Sequence, residues 1–225
     1  MNIIITGTHR GIGLECALLL AQKGHQILAL SRKENILITN SENCSFISTD
    51  LSVPSQLNQV EEFIKQKWNS KVDILINNAG TLLNKPFATI TPDELEYVYK
   101  VNVFGLFYLT QLAVKYMNSG AHVVSISSMG GIQGSMKFAG LSAYSSSKGA
   151  IITLSELLAQ EYAQQGISFN TLALGAVQTE MLNEAFPDYQ APINATEMAQ
   201  YICNFALDAN KYINGKTIQV SSSTP

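Results

Sequence analysis

The chain begins Asn2-Ile3-Ile4-Ile5-Thr6-Gly7-Thr8-His9-Arg10-Gly11-Ile12-Gly13 and continues Leu14-Glu15-Cys16-Ala17-Leu18-Leu19-Leu20-Ala21-Gln22. Residues 2–6 are a short β-rich run, 14–22 read as a helix, and a glycine-rich turn lies between them. In that context the glycines let the backbone turn sharply and approach a pyrophosphate. The helix behind them offers unpaired N–H groups and the positive end of its dipole. The spacing is Gly-x-x-x-Gly-x-Gly rather than Gly-x-Gly-x-x-Gly, and the turn lacks the Lys-Ser/Thr ending of a P-loop. An ordinary glycine turn has the same appearance in isolation, so its meaning depends on the rest of the chain.

Working outward, buried-strand runs recur at 26–30, 45–49, 72–76, 122–127, 167–172 and 216–220. Helical patterns separate them. The stretch 55–67 carries Leu57, Val60, Phe63 and Ile64 at helical spacing behind Pro54. Thr91-Pro92-Asp93-Glu94 is a capping-type start for a long helix to about residue 117. Further helices are expected from Tyr144 to about 165, where Gly166 stops the run, and from Thr196 to about 207; Ser221–Pro225 read as a polar tail. No repeat is visible. The alternation predicts an α/β fold: a doubly wound seven-stranded parallel sheet with helices on both faces, Rossmann-type, in a single domain over 1–225.

Composition narrows the classes of function. The 225 residues are 46% apolar with a formal net charge of −3, and no Lys/Arg run appears, which argues against a nucleic-acid partner. No apolar run is long enough to cross a membrane and no signal peptide precedes the first strand, so a cytoplasmic protein without membrane contact is expected. Cys16, Cys44 and Cys203 are too scattered for a disulfide framework or a metal site, and His9, His25 and His122 form no cluster.

Several residues carry chemistry. An acidic residue about 20 positions beyond a glycine turn would favour NAD by binding the ribose 2′-hydroxyl. Here Ser31 and Arg32 hold that place, with Arg10 in the turn itself. A hydroxyl and two guanidiniums suit a 2′-phosphate, so NADP is expected over NAD. Asn77-Asn78-Ala79-Gly80 closes the fourth strand at its carboxyl end, where ligands sit in open α/β sheets. Asn102 is an amide in an apolar stretch and needs hydrogen-bond partners, structural or functional. In Ala143-Tyr144-Ser145-Ser146-Ser147-Lys148, a phenol and an ammonium stand four residues apart on one helical face. A tyrosine titrates near ~10, and an adjacent cation lowers that value, giving a tuned donor of a proton to a carbonyl oxygen.

In register, these pieces resemble the short-chain dehydrogenase/reductase family across essentially the whole chain. Five motifs occur in that family's order: Thr6-Gly7-x-x-x-Gly11-x-Gly13, Asp50-Leu51, Asn77-Asn78-Ala79-Gly80, Ser128 with Tyr144-x-x-x-Lys148 and Asn102 upstream, and Gly175-x-Val177-x-Thr179. The resemblance implies that Tyr144 is the general acid or base, that Lys148 lowers its pKa and holds the nicotinamide ribose, that Ser128 fixes the substrate oxygen, and that Asn102 holds a water in a proton relay. It also implies that the turn from Gly7 through Arg10, Gly11 and Ile12 to Gly13 cradles the pyrophosphate. Asp50 and Leu51 would contact adenine, Asn78, Ala79 and Gly80 the adenosine ribose, and Val177 and Thr179 the carboxamide.

The chain departs from the family in three places. The 16 positions from Ser128 to Tyr144 exceed the usual spacing, so an outward insertion of a few residues is expected, with Ser135 and Ser142 as alternatives to Ser128. Leu174 replaces the usual proline, which is expected to loosen the following turn. The end, Gln219-Val220-Ser221-Ser222-Ser223, lacks the common Asp-Gly-Gly, a segment tied to subunit contacts. The expected activity is NADP(H)-dependent hydride transfer between nicotinamide and a small-molecule carbonyl or secondary alcohol, acting on a CH–OH group. A fatty-acid-type 3-oxoacyl reductase and a non-catalytic NADP-binding redox-sensing regulator are the alternatives. The substrate loop is placed at 179–195. The resemblance implies a homodimer or homotetramer through the helices at 92–117 and 144–165.

Overall fold

The computed structural model describes residues 1–222; the end of the expected tail, including Ser223, lies outside the described residues. Seven strands form one parallel sheet in the order β3-β2-β1-β4-β5-β6-β7. They are β1 (Asn2–Thr6), β2 (Gln26–Ser31), β3 (Cys44–Ser48), β4 (Val72–Asn77), β5 (Met117–Ser128), β6 (Ser168–Leu174) and β7 (Thr217–Val220). The helices are α1 (Gly11–Gln22), α2 (Ile36–Thr39), α3 (Leu57–Lys67), α4 (Pro92–Tyr99), α5 (Leu106–Ala113), α6 (Ser142–Glu161), α7 (Glu180–Ala185) and α8 (Ala195–Asp208).

The continuous Ile/Leu runs of the central strands follow from cover on both faces. Successive side chains of a strand point to opposite sides. Ile3, Ile5, Ile27 and Ala29 therefore meet Cys16 and Leu20 of α1 and Met198 and Ile202 of α8. Ile4, Leu28 and Leu30 meet Val60 and Ile64 of α3 and Leu109 and Leu112 of α5 on the other face. Each fully buried Ile, Leu, Val or Met among them contributes roughly 1.5–3 kcal/mol. Strand order reverses beside β1, since β2 lies on one side and β4 on the other. This topological switch opens a crevice outside the carboxyl ends of the strands.

Two local differences from expectation have identifiable causes. The long helix expected over 92–117 is four pieces: α4, a π-helical turn over Lys100–Gly105, α5 and a 3-10 turn over Val114–Tyr116. At Gly105 a Cβ would lie 2.6 Å from Leu51 Cβ and 2.7 Å from Leu51 O, so the backbone is pressed against residue 51. The wider winding is a local accommodation found often near functional sites. The helical run then gives way at Met117, which pairs with Val72 and begins β5 well before the expected residue 122. Leu174 also behaves differently: it continues β6, aligned with Ser128 on one side and Val220 on the other. The turn after it is held rather than loosened, because Gly175 N donates to Val220 O at 2.9 Å. No helix among the described residues is long and apolar enough to cross a membrane.

Candidate active site

The crevice is a cleft of about 940 Å³, near the upper end of the roughly 300–1,000 Å³ usual for small-molecule sites. Its floor is the β1–α1 turn. Gly7 and Gly11 have φ of +74° and +59°, values that glycine adopts without strain. At Gly13 a Cβ would lie 2.3 Å from Gly7 O and 2.4 Å from Asn78 Nδ2, so only glycine lets α1 sit this close to the turn. The N-cap of α1, Arg10, makes no side-chain cap. The first-turn N–H groups, Gly11 and Ile12 among them, therefore stand at the cleft without an internal partner. An uncapped helix end behind a glycine cradle fits a dinucleotide pyrophosphate.

Asn78 clamps the neighbouring wall. Its Nδ2 donates to Thr6 O at 2.9 Å, while the N–H groups of Asn78 and Ala79 donate to Thr6 Oγ1 at 3.0 and 2.9 Å. The Asn77–Gly80 turn is thus tied to the glycine turn from the β4 side of the switch. At the other side, Ser31 Oγ donates to Lys33 O at 2.8 Å and lies 3.4 Å from Thr8 Oγ1. Arg32 reaches over the cleft to Tyr97 of α4, with Nη1 2.7 Å from the phenolic oxygen. Asp50 Oδ1 accepts from Ser52 N and Ser52 Oγ, closing a turn beside Leu51. Arg10 points elsewhere: it forms a bidentate pair with Glu184 of α7, with Nη2 3.0 Å from Oε2. The turn is thereby tied to the 179–195 segment, and Arg32 with Lys33 is left as the cationic pair on the β2 side.

Ser128 ends β5, and its Oγ accepts from Gly130 N at 3.2 Å. Tyr144 and Lys148 lie in the first two turns of α6. Burial raises the Tyr144 phenol above its ordinary value, while a hydrogen bond with the Ser128 hydroxyl acts in the opposite direction. Lys148 is 3% exposed, and its Nζ donates to Ile126 O at 2.9 Å and lies 5.8 Å from the centre of the Tyr144 ring. Burial pulls the ammonium down to about 8. The expectation that Lys148 lowers the Tyr144 pKa is not met in this arrangement: the ammonium is engaged by a backbone carbonyl, and desolvation of the phenol dominates.

Asn102 does not line the cleft. It lies behind it, fully buried on the π-helical turn, and its Nδ2 donates to Thr81 O and to Ser147 Oγ, each at 2.9 Å. Its Oδ1 accepts from Thr81 N at 2.7 Å. Ser147 in turn donates to Tyr144 O at 2.7 Å. The chain Thr81–Asn102–Ser147–Tyr144 links the β4 loop to α6.

The insertion after Ser128 is ordered by its own polar groups. Ser135 Oγ donates to Met129 O at 2.6 Å, and Lys137 Nζ donates to Gly130 O at 2.8 Å and to Ser135 Oγ at 2.8 Å. Ser135 is thereby committed to the loop, and Ser142 is exposed and outside the cleft lining. Of the three serines, Ser128 alone lines the cleft with Tyr144 and Lys148. Val177 and Thr179 line the opposite wall, where Thr179 caps α7 by accepting from Leu182 N. Every other cofactor candidate except Gly13 also lines the cleft.

Sequence reasoning missed Ser147, Tyr97, Lys33 and Glu184. Ser147 stands three residues after Tyr144, one helical turn along, a readable signal. Tyr97 and Glu184 gave none, because their partners lie 65 and 174 residues away.

Comparison with known proteins agrees with this geometry. The family model for short chain dehydrogenases matches residues 1–190. A 3-oxoacyl-(acyl-carrier-protein) reductase, FabG of Thermotoga maritima, is 30% identical over 237 residues, spanning 96% of this chain and 94% of that protein. Among solved structures, ElxO with NADP bound is 26% identical with a TM-score of 0.85, covering 98% of this chain and 96% of that one. A 4-hydroxyisoleucine dehydrogenase complexed with NADH shares the fold at a TM-score of 0.88 and 24% identity, covering 99% and 97%. Over residues 1–190, then, the chain belongs to the short chain dehydrogenase family of oxidoreductases.

Proposed function

We propose that this protein interconverts a carbonyl compound and a secondary alcohol with NADP(H), with Tyr144 as general acid in reduction and general base in oxidation. The observation that carries this reading is that Ser128, Tyr144 and the buried Lys148 line one cleft together with the uncapped end of α1. The dinucleotide supplies the hydride; the protein supplies position and a proton. Ser128 holds the substrate oxygen against the Tyr144 hydroxyl, which donates its proton as charge develops on that oxygen. Lys148 would hold the nicotinamide ribose beside the Tyr144 hydroxyl. Asn102 holds the water that returns a proton toward Lys148. Supporting this relay, Lys148 Nζ and Asn102 Oδ1 pack against the same glycine, since a Gly80 Cβ would lie 3.3 Å from the first and 3.4 Å from the second.

NADP is favoured over NAD because Ser31, Arg32 and Lys33 line the cleft at the end of β2, while the carboxylate that follows them, Glu34, is not part of the lining. The likeness to FabG makes a 3-oxoacyl thioester a second substrate to test. Exposed Leu95, Phe104, Phe107, Tyr108 and Leu157 on α4, α5, α6 and the π-helical turn support a homo-oligomer.

The test is turnover of a carbonyl panel, 3-oxoacyl thioesters included, followed by the loss of NADPH absorbance in the unmodified protein and in Tyr144→Phe. Reduction that falls by at least a hundredfold in Tyr144→Phe is expected. NADPH binding without reduction of any compound would instead favour a non-catalytic redox-sensing regulator.

A further inference from the structure

We infer that the substrate is a neutral, apolar ketone or aldehyde, and that carbonyl compounds bearing a carboxylate or phosphate are rejected; this rests on the carbonyl-reductase reading above. The rim beside Tyr144 is built from three segments. Lys85 N donates to Gly140 O at 2.9 Å, and Asn84 Nδ2 donates to Ala185 O at 3.2 Å, which joins the insertion, the 84–85 loop and α7. Carbon faces the cleft from both sides of this rim. Met136 and Phe138 of the insertion remain 57% and 48% exposed, and they line the cleft with Met181, Leu182, Phe186 and Tyr189 of the substrate loop. Large apolar side chains left uncovered at a concave mouth suit an apolar ligand.

Among the described residues near this end, Arg10 and Lys85 are paired with carboxylates, and Lys137 lies outside the cleft lining on neutral acceptors of its own loop. Lys137 Nζ donates to Gly130 O and Ser135 Oγ of its own loop. Lys85 Nζ is held by both oxygens of Glu94 at 2.7 and 2.8 Å, and Glu94 is pulled down to about 2 by that partner first, then by the Thr91 backbone. Arg10 is held by Glu184, and Lys148 by Ile126 O. Arg32 and Lys33 follow β2, which lies three strands from β5, or about 14 Å at ~4.8 Å per strand spacing. On the α7 side the Glu180 carboxylate lines the cleft beside the Arg10–Glu184 pair, so two carboxylates there oppose one guanidinium. An anion placed among these carbons would lose its hydration and gain no partner.

Matched pairs test this directly: acetophenone against 4-acetylbenzoate, with NADPH, in the unmodified protein and in Met136→Lys and Phe138→Ala. The neutral ketone is expected to have at least a tenfold higher kcat/KM. Met136→Lys should narrow that ratio at least threefold by supplying a cation. Phe138→Ala should raise the ketone KM several-fold while the Kd for NADPH moves less than twofold. If the carboxylate is reduced as efficiently as the ketone, the inference falls while the carbonyl-reductase reading stands. If neither is reduced although NADPH binds, that reading falls and takes the inference with it.

Discussion

Replacing Lys148 with methionine should stabilise the fold while ending turnover. The Lys148 ammonium is 3% exposed, has one protein acceptor, Ile126 O at 2.9 Å, and is pulled from 10.5 to about 8 by burial. At 1.36 kcal/mol per pH unit, that displacement corresponds to about 3 kcal/mol of unfavourable burial whenever the group is charged in both states. Methionine removes the charge and keeps much of the volume, at the cost of the hydrogen bond to Ile126 O, about 1 kcal/mol. The net gain near pH 7 is about 2 kcal/mol, or roughly 4–8 °C in Tm for a chain of this size.

The sign of the pH dependence is fixed by the direction of the shift. Between about pH 8 and 10.5 the unfolded chain binds the proton more tightly than the folded one. The unmodified protein therefore gains stability as pH rises through that window, and the advantage of Lys148→Met shrinks over it. Urea denaturation of both proteins at pH 7 and pH 10, without cofactor, measures the difference directly. A variant less stable than the parent at pH 7, or an advantage unchanged between the two pH values, would refute the reasoning. Reductase activity should be lost in the variant throughout, a case of stability given up at a functional site.

Three further outcomes are expected. His122 is fully buried, with Nδ1 2.9 Å from Ala206 O, and burial pushes its pKa down to about 4. Its contribution, about 3 kcal/mol, is present above the unfolded value near 6.5 and is lost as pH falls toward 4; His122→Gln should flatten the urea midpoint across that window, and an unchanged slope would count against it. Gly13→Ala places a methyl 2.3 Å from Gly7 O, so it should destabilise by about 1–3 kcal/mol and weaken dinucleotide binding; thermal melts and fluorescence titration check both. Arg32→Ala should raise the Kd for NADPH at least tenfold and that for NADH less than twofold, and equal losses would contradict the 2′-phosphate assignment.

How much of the molecule was legible depended on the range of the interaction. The β1 run could be read because strands covered on both faces must be apolar throughout, and Ile3, Ile4 and Ile5 are all fully buried. The capping box at Thr91 and Glu94 was equally readable, since both partners lie within one turn. The π-helical turn at Lys100–Gly105 was not, because its cause is the approach of Gly105 to Leu51, more than fifty residues earlier in the chain. The four-residue turn α2 is too short to show a period, and the early start of β5 reflects pairing with Val72.

Within the candidate site, the sequence by itself placed Ser128, Tyr144, Lys148 and the glycine turn on elements that bring them to one cleft. Those relations follow from local spacing and from strands ending at a common edge. Only the tertiary structure decided which serine faces Tyr144, that Arg10 holds Glu184, and that burial raises the Tyr144 phenol. Pairing and proton affinity depend on which groups surround a side chain and how much water they exclude. The full packing of distant segments settles both, and no window of sequence contains it.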